Sequence, residues 1–130
     1  MITSIELYLV TENNGLEAVE FYKDVFNAEL ISCTTFGQAI PDTPEENKNL
    51  VLNADLRING IRLQLSDNGS GNPYQLGTNM TACIQLDDVD QAQSLFAKLE
   101  KDAKRIDMPM QEIPWSPAYG IVVDKFGMTW

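Results

Sequence analysis

The side chain best suited to acid/base chemistry is Glu6, which lies in a stretch where polar and apolar residues alternate. Alternation of this kind predicts a half-buried strand that carries Glu6 and Tyr8 on one face. Burial beside Tyr8 would raise the pKa of the Glu6 carboxyl toward values useful for proton abstraction. The alternative is a glutamate in water at the edge of a strand. No second side chain is a convincing catalytic partner, so Glu6 alone gives no mechanism.

The chain contains no histidine. Ser-His-Asp triads, Cys-His pairs and metal sites that need histidine are therefore excluded. Oxygen atoms of Glu6, Asp55 and Gln64 are the remaining candidates for metal ligands, and nothing in their spacing makes them converge. We therefore predict no bound transition metal and no cofactor.

The net charge limits the kinds of binding partner that are expected, and the cysteines indicate the cellular compartment. The net charge is −10, from 9 basic and 19 acidic residues, which argues against binding to nucleic acids or anionic membranes and is compatible with a cationic ligand. A signal peptide and a run of about 18 apolar residues are both missing, so a secreted or membrane-spanning form is not expected. Cys33 and Cys83 lie far apart in strand-like runs, which predicts reduced, buried cysteines in a cytoplasmic protein.

The first half of the chain predicts a strand, a helix and three further strands. Asn14 is expected to cap the helix and Asn27 to end it in the left-handed conformation. Asn59-Gly60 is a strong hairpin signal between the last two strands. The polar segment 37–49 has no periodicity and is predicted to be a long loop. The predicted elements are strand 4–10, helix 14–26, and strands 29–36, 50–58 and 61–66.

The same order of elements returns in the second half. Strand 80–86 precedes a helix at 88–101 that Asp87 or Asp88 caps, and the chain ends in a hairpin over 121–130. We therefore predict one α+β domain over residues 1–130, built from two βαβββ modules that form curved mixed sheets around a cleft. The modules span about 1–67 and 79–130, and loop 68–78 joins them.

Alternation also predicts which side chains line the cleft. Tyr8, Asn53 and Gln64 fall on the face of the first sheet that the helix does not cover. Trp115 and Tyr119 precede the last hairpin and are expected to reach the rim, with the 37–49 loop as a mobile lid. Two alternatives remain open: the sheet residues could cover a solvent-facing surface, and the C-terminal aromatics could only fill a core.

The chain resembles the PhnB-like branch of the glyoxalase/bleomycin-resistance (vicinal oxygen chelate) superfamily. The resemblance covers nearly all of residues 4–130 and depends on the order and spacing of several short motifs. These motifs are Tyr8–Val10, Glu17–Tyr22 with Val25-Phe26, Asn53–Ile58, Leu63–Asp67, Trp115, Tyr119-Gly120, and Asp124–Gly127 with Trp130.

The resemblance implies a small-molecule cleft and a homodimer, because members of the superfamily commonly pair modules across subunits. Metal-dependent members hold a metal through His and Glu side chains, whereas this chain has Asn53 where His is common and no histidine near Glu6. Two functions therefore stay open. One is a binding protein without catalytic residues, as in bleomycin resistance, and the other is a lyase- or isomerase-type enzyme that uses carboxylate acid/base chemistry.

Overall fold

A computed structural model describes residues 1–130, which divide into two units, Met1–Gln75 and Leu76–Trp130. The first unit contains a strand, a helix and three further strands, with two short helical turns between the second and third strands. Its elements are β1 (Leu7–Thr11), α1 (Gly15–Phe26), β2 (Glu29–Thr35), α2 (Phe36–Ala39), a 3₁₀ helix (Glu45–Asn47), β3 (Val51–Ile58) and β4 (Ile61–Asp67).

The strands of the first unit form one mixed sheet in the order β1-β4-β3-β2. β1 runs parallel to β4, and β3 is antiparallel to both β4 and β2. The outer strands β1 and β2 therefore run in the same direction at opposite edges, and α1 connects them across one face. This unit confirms the α+β class and the order of elements predicted for the first module.

Helix α1 packs its apolar stripe against the sheet. Ala18, Val19, Tyr22 and Val25 are buried along one side of the helix, as the periodicity predicts. Asn27 ends the helix with a φ of 50°, so the predicted left-handed stop is confirmed. Asn14 occupies the N-cap position, but its side chain makes no capping hydrogen bond, so that part of the prediction is wrong. Its backbone angles, φ −117° and ψ 32°, are not the extended geometry from which a cap side chain reaches forward.

The face of the sheet toward α1 is apolar and buried, which leaves the other face polar. Leu9, Ala54, Leu56, Leu63 and Leu65 are buried on the helix side. A bulge interrupts the alternation of β3: the register moves from Thr34 opposite Asn53 to Thr35 opposite Val51. Leu52 is the extra residue, and so Val51 is buried as well.

A buried carboxylate joins four parts of this unit. Asp67, at the end of β4, accepts a 2.7 Å hydrogen bond from the Thr11 hydroxyl and another of 2.7 Å from the Val51 N–H. Gly15, the first residue of α1, lies so close that an added Cβ would be 2.6 Å from the Asp67 carboxylate. The ends of β1 and β4, the start of β3 and the start of α1 are thereby held together.

The connection between β3 and β4 agrees with the sequence prediction, whereas the connection between β2 and β3 differs from it. Asn59 and Gly60 have φ values of 48° and 81°, which confirms the predicted hairpin. The segment 37–49, predicted to be a long loop, contains most of α2 and the whole 3₁₀ helix, with turns between and after them. Thr35 and Gln38 form a reciprocal capping box at α2, a local signal that the prediction did not use.

The second unit consists of a helix and an antiparallel hairpin: α3 (Val89–Glu100), β5 (Arg105–Ile113) and β6 (Ser116–Val123). Asp88 caps α3 by accepting a 2.9 Å hydrogen bond from the Gln91 N–H, as predicted. Phe96 and Leu99 are the buried residues of α3. The chain then turns back at its C-terminus, where Val122 and Trp130 exchange backbone hydrogen bonds of 3.0 and 2.9 Å, which confirms the returning segment.

The segment Met80–Leu86 is not a strand, so this prediction is wrong. One backbone hydrogen bond, of 3.0 Å from the Ala82 N–H to the Thr129 carbonyl, links it to the rest of the unit. A strand requires a ladder with a neighbour, and its β-favouring sequence cannot supply one. Cys83 in this segment is exposed, contrary to the prediction of a buried thiol, while Cys33 on β2 is half-buried. Burial raises the pKa of the Cys33 thiol, and the nearby charges of Asp67 and Glu20 add to this effect.

None of the helices combines the length and apolar character needed to span a membrane.

Candidate functional site

Three polar side chains from neighbouring strands form a hydrogen-bonded row on the face of the first sheet opposite α1. The Asn53 amide nitrogen donates to the Tyr8 hydroxyl oxygen at 3.1 Å and to the Gln64 side-chain oxygen at 3.2 Å. Tyr8 and Gln64 are direct register partners on β1 and β4, and Asn53 comes from β3. Strand order and alternation therefore bring together the three residues that the sequence assigned to this surface.

Glu6 extends this row as one member of an ion pair. The Arg62 guanidinium donates to the Glu6 carboxylate at 2.6 Å, and the Gln64 amide lies 3.5 Å from the same oxygen. The hydrogen bond from Arg62 lowers the pKa of the Glu6 carboxyl, although desolvation acts in the opposite direction. The expected rise in the pKa of Glu6 is therefore wrong, because the sequence did not show that an arginine on β4 would meet it.

A second ion pair lies on β3. The Arg57 guanidinium donates two hydrogen bonds to the Asp55 carboxylate, at 2.9 and 3.2 Å. This pairing lowers the pKa of Asp55 and raises the pKa of Arg57. Asp55 is the register partner of Gln64, so this pair lies beside the amide row. Each of the two ion pairs is neutral in itself, and Glu29 on β2, the register partner of Arg57, adds one more negative charge to the face.

Arg57 and Arg62 follow the same alternation onto this face as Asn53 and Gln64, but the sequence suggested no role for them, and it suggested Asp55 only as a possible metal ligand. The signal that could have found the pairing within β3 is the spacing of Asp55 and Arg57, since residues two apart in a strand share a face. The pairing of Glu6 with Arg62 has no such signal. It depends on the register between β1 and β4, whose residues are 56 positions apart in the chain.

The other two predicted binding residues, Trp115 and Tyr119, belong to the second unit and are not members of this network. Trp115 lies between β5 and β6 with 80% of its surface exposed. Tyr119 lies on β6 opposite Gln111 and is 37% exposed. Both rings are therefore accessible, and the alternative that Trp115 fills a core is wrong.

The donor set of the sheet face does not fit the metal that the resembled family uses in its metal-dependent members. Glu6 and Asp55 are the carboxylates beside the amide row, and each is held by an arginine. No three His, Cys, Asp or Glu side chains converge anywhere in the chain. A divalent cation would have to displace a guanidinium that already satisfies each carboxylate. Neither carboxylate is therefore free to hold such a metal.

Comparison with known proteins gives a family match over almost the whole chain. The model of the Glyoxalase/Bleomycin resistance protein/Dioxygenase superfamily matches residues 5–130. The protein YjdN of Escherichia coli (strain K12) is 28% identical over 134 residues, a region that covers 95% of this chain and 89% of YjdN.

Solved structures share the fold of this chain. Protein PA1353 from Pseudomonas aeruginosa superposes with a TM-score of 0.86 at 25% identity, covering 98% of this chain and 95% of that protein. A Bacillus cereus protein described as a putative 3-demethylubiquinone-9 3-methyltransferase, PhnB protein, superposes with a TM-score of 0.82 at 24% identity, covering 98% and 96%. The second likeness supports the shared fold and nothing more.

Proposed function

Because the chain belongs to the glyoxalase/bleomycin resistance protein/dioxygenase superfamily, we propose that it binds a small polar molecule on the open face of its first sheet. The observation that carries the proposal is the hydrogen-bonded row of Tyr8, Asn53 and Gln64. Side chains that hold one another in place lose little conformational freedom when a ligand arrives.

Hydrogen-bonding capacity that the row leaves unused indicates the kind of ligand. The Tyr8 hydroxyl accepts from Asn53 and keeps its own proton available to donate. The Asn53 carbonyl oxygen keeps its acceptor capacity, because Asn53 enters the row as a donor. The charged groups beside the row are paired with one another, Glu6 with Arg62 and Asp55 with Arg57, so the row favours an uncharged ligand with hydroxyl, carbonyl or amide groups over the cationic ligand that the overall charge suggested.

Acid/base catalysis by Glu6 is the weaker candidate. A general base works best when its pKa lies near the operating pH. The Arg62 hydrogen bond moves the pKa of Glu6 in the opposite direction, which reduces its proton affinity. We therefore propose binding as the function and keep chemical change of the ligand as an outcome of the test.

The test is a ligand screen by saturation-transfer NMR with matched sets of neutral, cationic and anionic small molecules. Neutral polar molecules should bind best. The Asn53→Ala replacement should weaken the binding of these molecules about fivefold, which corresponds to the loss of roughly one hydrogen bond. Asn79→Ala, at an exposed asparagine outside the network, is the matched control. Ligands that bind equally well to the Asn53→Ala protein would refute the proposal, and a ligand recovered with altered mass would favour an enzyme.

We further propose that the protein is a homodimer. The support is two strand-like edges without neighbours: the outer side of β1, which ends its sheet, and the segment Met80–Leu86. Met80, Ile84 and Leu86 are 79%, 36% and 40% exposed, and the segment contains no charged residue to discourage pairing. An apolar segment of strand-like composition is a template for a strand from a second copy.

Analytical ultracentrifugation over micromolar concentrations tests the dimer. Ile84→Lys adds a charge to the segment and should produce monomers. Ile61→Lys is the matched control, because Ile61 is 68% exposed at a hairpin and lies outside both edges. The Ile61→Lys protein should remain a dimer. A wild-type protein that sediments as a monomer would refute the proposal.

We also propose a cytoplasmic location, on the ground that both cysteines are free. Subcellular fractionation is the test, and recovery of the protein outside the cytoplasm would contradict it.

A further inference from the structure

The first unit contains a pocket of about 340 Å³ between the segment 36–50 and the loop 68–72. Its volume lies in the lower part of the range of small-molecule sites. None of the four residues of the sheet-face network, Glu6, Tyr8, Asn53 and Gln64, lines it. The pocket is therefore a separate feature of this unit.

Both walls of the pocket are built before any ligand arrives. On one side, the Phe36 N–H donates to the Leu50 carbonyl at 2.9 Å, which closes the base of the 36–50 segment. On the other side, Asn68 and Asn72 exchange side-chain to backbone hydrogen bonds of 3.1 and 2.8 Å. Because these walls are already ordered, ligand binding does not have to supply the free energy that ordering them would cost.

The lining combines an apolar surface with polar groups that have no protein partner. Phe36, Ile40 and Leu50 contribute apolar surface, and Ile40 remains 44% exposed. The side chains of Asp42 and Asn47 lie in the same lining and make no hydrogen bond or ion pair within the chain. Asp42 is also the one ionised residue of the lining.

We infer that this pocket binds a small primary amine with an apolar ring or short chain, the ammonium group on Asp42 and the apolar part against Phe36, Ile40 and Leu50. An ammonium group has three N–H donors, and the lining offers acceptors for them in the Asp42 carboxylate and the side-chain oxygens of Asn47 and Ser70. The net charge of −10 attracts cations to the protein in general. The apolar lining then selects among them for a molecule with an apolar body.

Asp42 allows a sharp test because its charge can be removed without disturbing the backbone. Its φ is 60°, a conformation that asparagine tolerates as well as aspartate. Asp42→Asn therefore keeps the size and backbone preference and removes the charge. Glu45→Gln is the matched control, since Glu45 is a neighbouring carboxylate that does not line the pocket and is paired with Lys48 at 2.7 Å.

The experiment titrates full-length, ¹⁵N-labelled protein with benzylamine, benzyl alcohol and benzoate and follows backbone amide shifts. Benzylamine should move the amides of segments 36–50 and 68–72, and it should bind about fivefold tighter than benzyl alcohol, which has the same ring without the charge. Benzoate should bind least. Asp42→Asn should remove the preference for the amine and leave benzyl alcohol unchanged, whereas Ile40→Ala should weaken both.

Two further results separate this site from the sheet face. Asn53→Ala should leave benzylamine binding unchanged, so failure of the sheet-face proposal does not affect this one. Benzylamine shifts that spread along β1, β3 and β4, or no binding at millimolar concentration, would overturn the inference. Equal affinity for benzylamine in the wild-type and Asp42→Asn proteins would overturn it as well.

Discussion

The indole nitrogen of Trp130 donates a 2.7 Å hydrogen bond to the buried carboxylate of Asp124. The other oxygen of that carboxylate accepts from the backbone N–H groups of Phe126 and Met128, at 2.8 and 3.0 Å. One acidic side chain therefore satisfies three donors and fixes both the turn and the last residue of the chain.

Replacement of Asp124 by Ala should destabilise the protein by about 3 kcal/mol, because buried donors that lose their partner keep the full cost of their desolvation. Urea unfolding followed by circular dichroism measures this loss. Asp107→Ala is the matched control: Asp107 is paired with Arg105 on an exposed strand, and its loss should cost within about 0.5 kcal/mol. Equal losses in the two variants would contradict the role given to Asp124.

A close approach between α3 and β6 makes Gly120 intolerant of a side chain. A Cβ at this position would lie 2.6 Å from the Phe96 ring. Gly120→Ala should therefore cost about 1–3 kcal/mol through overpacking. Gly77→Ala, where the nearest atom would be at 3.4 Å, should be close to neutral. In a double-mutant cycle, Phe96→Leu should recover part of the loss at Gly120, and additive effects would show that the contact is absent.

The Glu6–Arg62 ion pair should be detectable in the titration of the Glu6 carboxyl. Arg62 lowers the pKa of Glu6 below its usual value of 4.5, so the pair contributes stability above that value and loses it as the pH falls through the lowered pKa. Arg62→Gln should return the pKa of Glu6 toward 4.5, as measured by carboxyl ¹³C NMR. Arg105→Gln, which removes the partner of Asp107, should raise the pKa of Asp107 and leave Glu6 unchanged. An unchanged Glu6 titration in Arg62→Gln would show that the pair does not form in solution.

The two tryptophans should respond differently to truncation. Trp115 is 80% exposed, so Trp115→Ala should change the free energy of unfolding by less than about 0.5 kcal/mol. Trp130 is 7% exposed and hydrogen-bonded to Asp124, so Trp130→Ala should cost about 3–5 kcal/mol. Thermal denaturation of both variants is the measurement. A large fall in melting temperature for Trp115→Ala would place that ring in a core after all.

Residues of the candidate site could be found from the sequence wherever local alternation determined their face. Tyr8, Asn53 and Gln64 each lie next to buried apolar neighbours on their own strand, and the structure joins them in one row. The electrostatics of Glu6 could not be found in this way. The sequence shows a glutamate beside a tyrosine, while the pKa of Glu6 is determined by an arginine on another strand.

The sequence by itself determined the periodic elements: β1, α1, the β3–β4 hairpin and α3 follow from side-chain spacing and from the turn residues at Asn59-Gly60. These signals are local, because a helix satisfies its hydrogen bonds within itself and a two-residue hairpin sets its own register. Only the tertiary structure decided what depends on distant neighbours. Glu6 meets Arg62 through the parallel register of β1 and β4, and Asp67 is stabilised by groups from two other strands. Met80–Leu86 has the composition of a strand but forms none within the chain, because a strand exists only when another strand pairs with it.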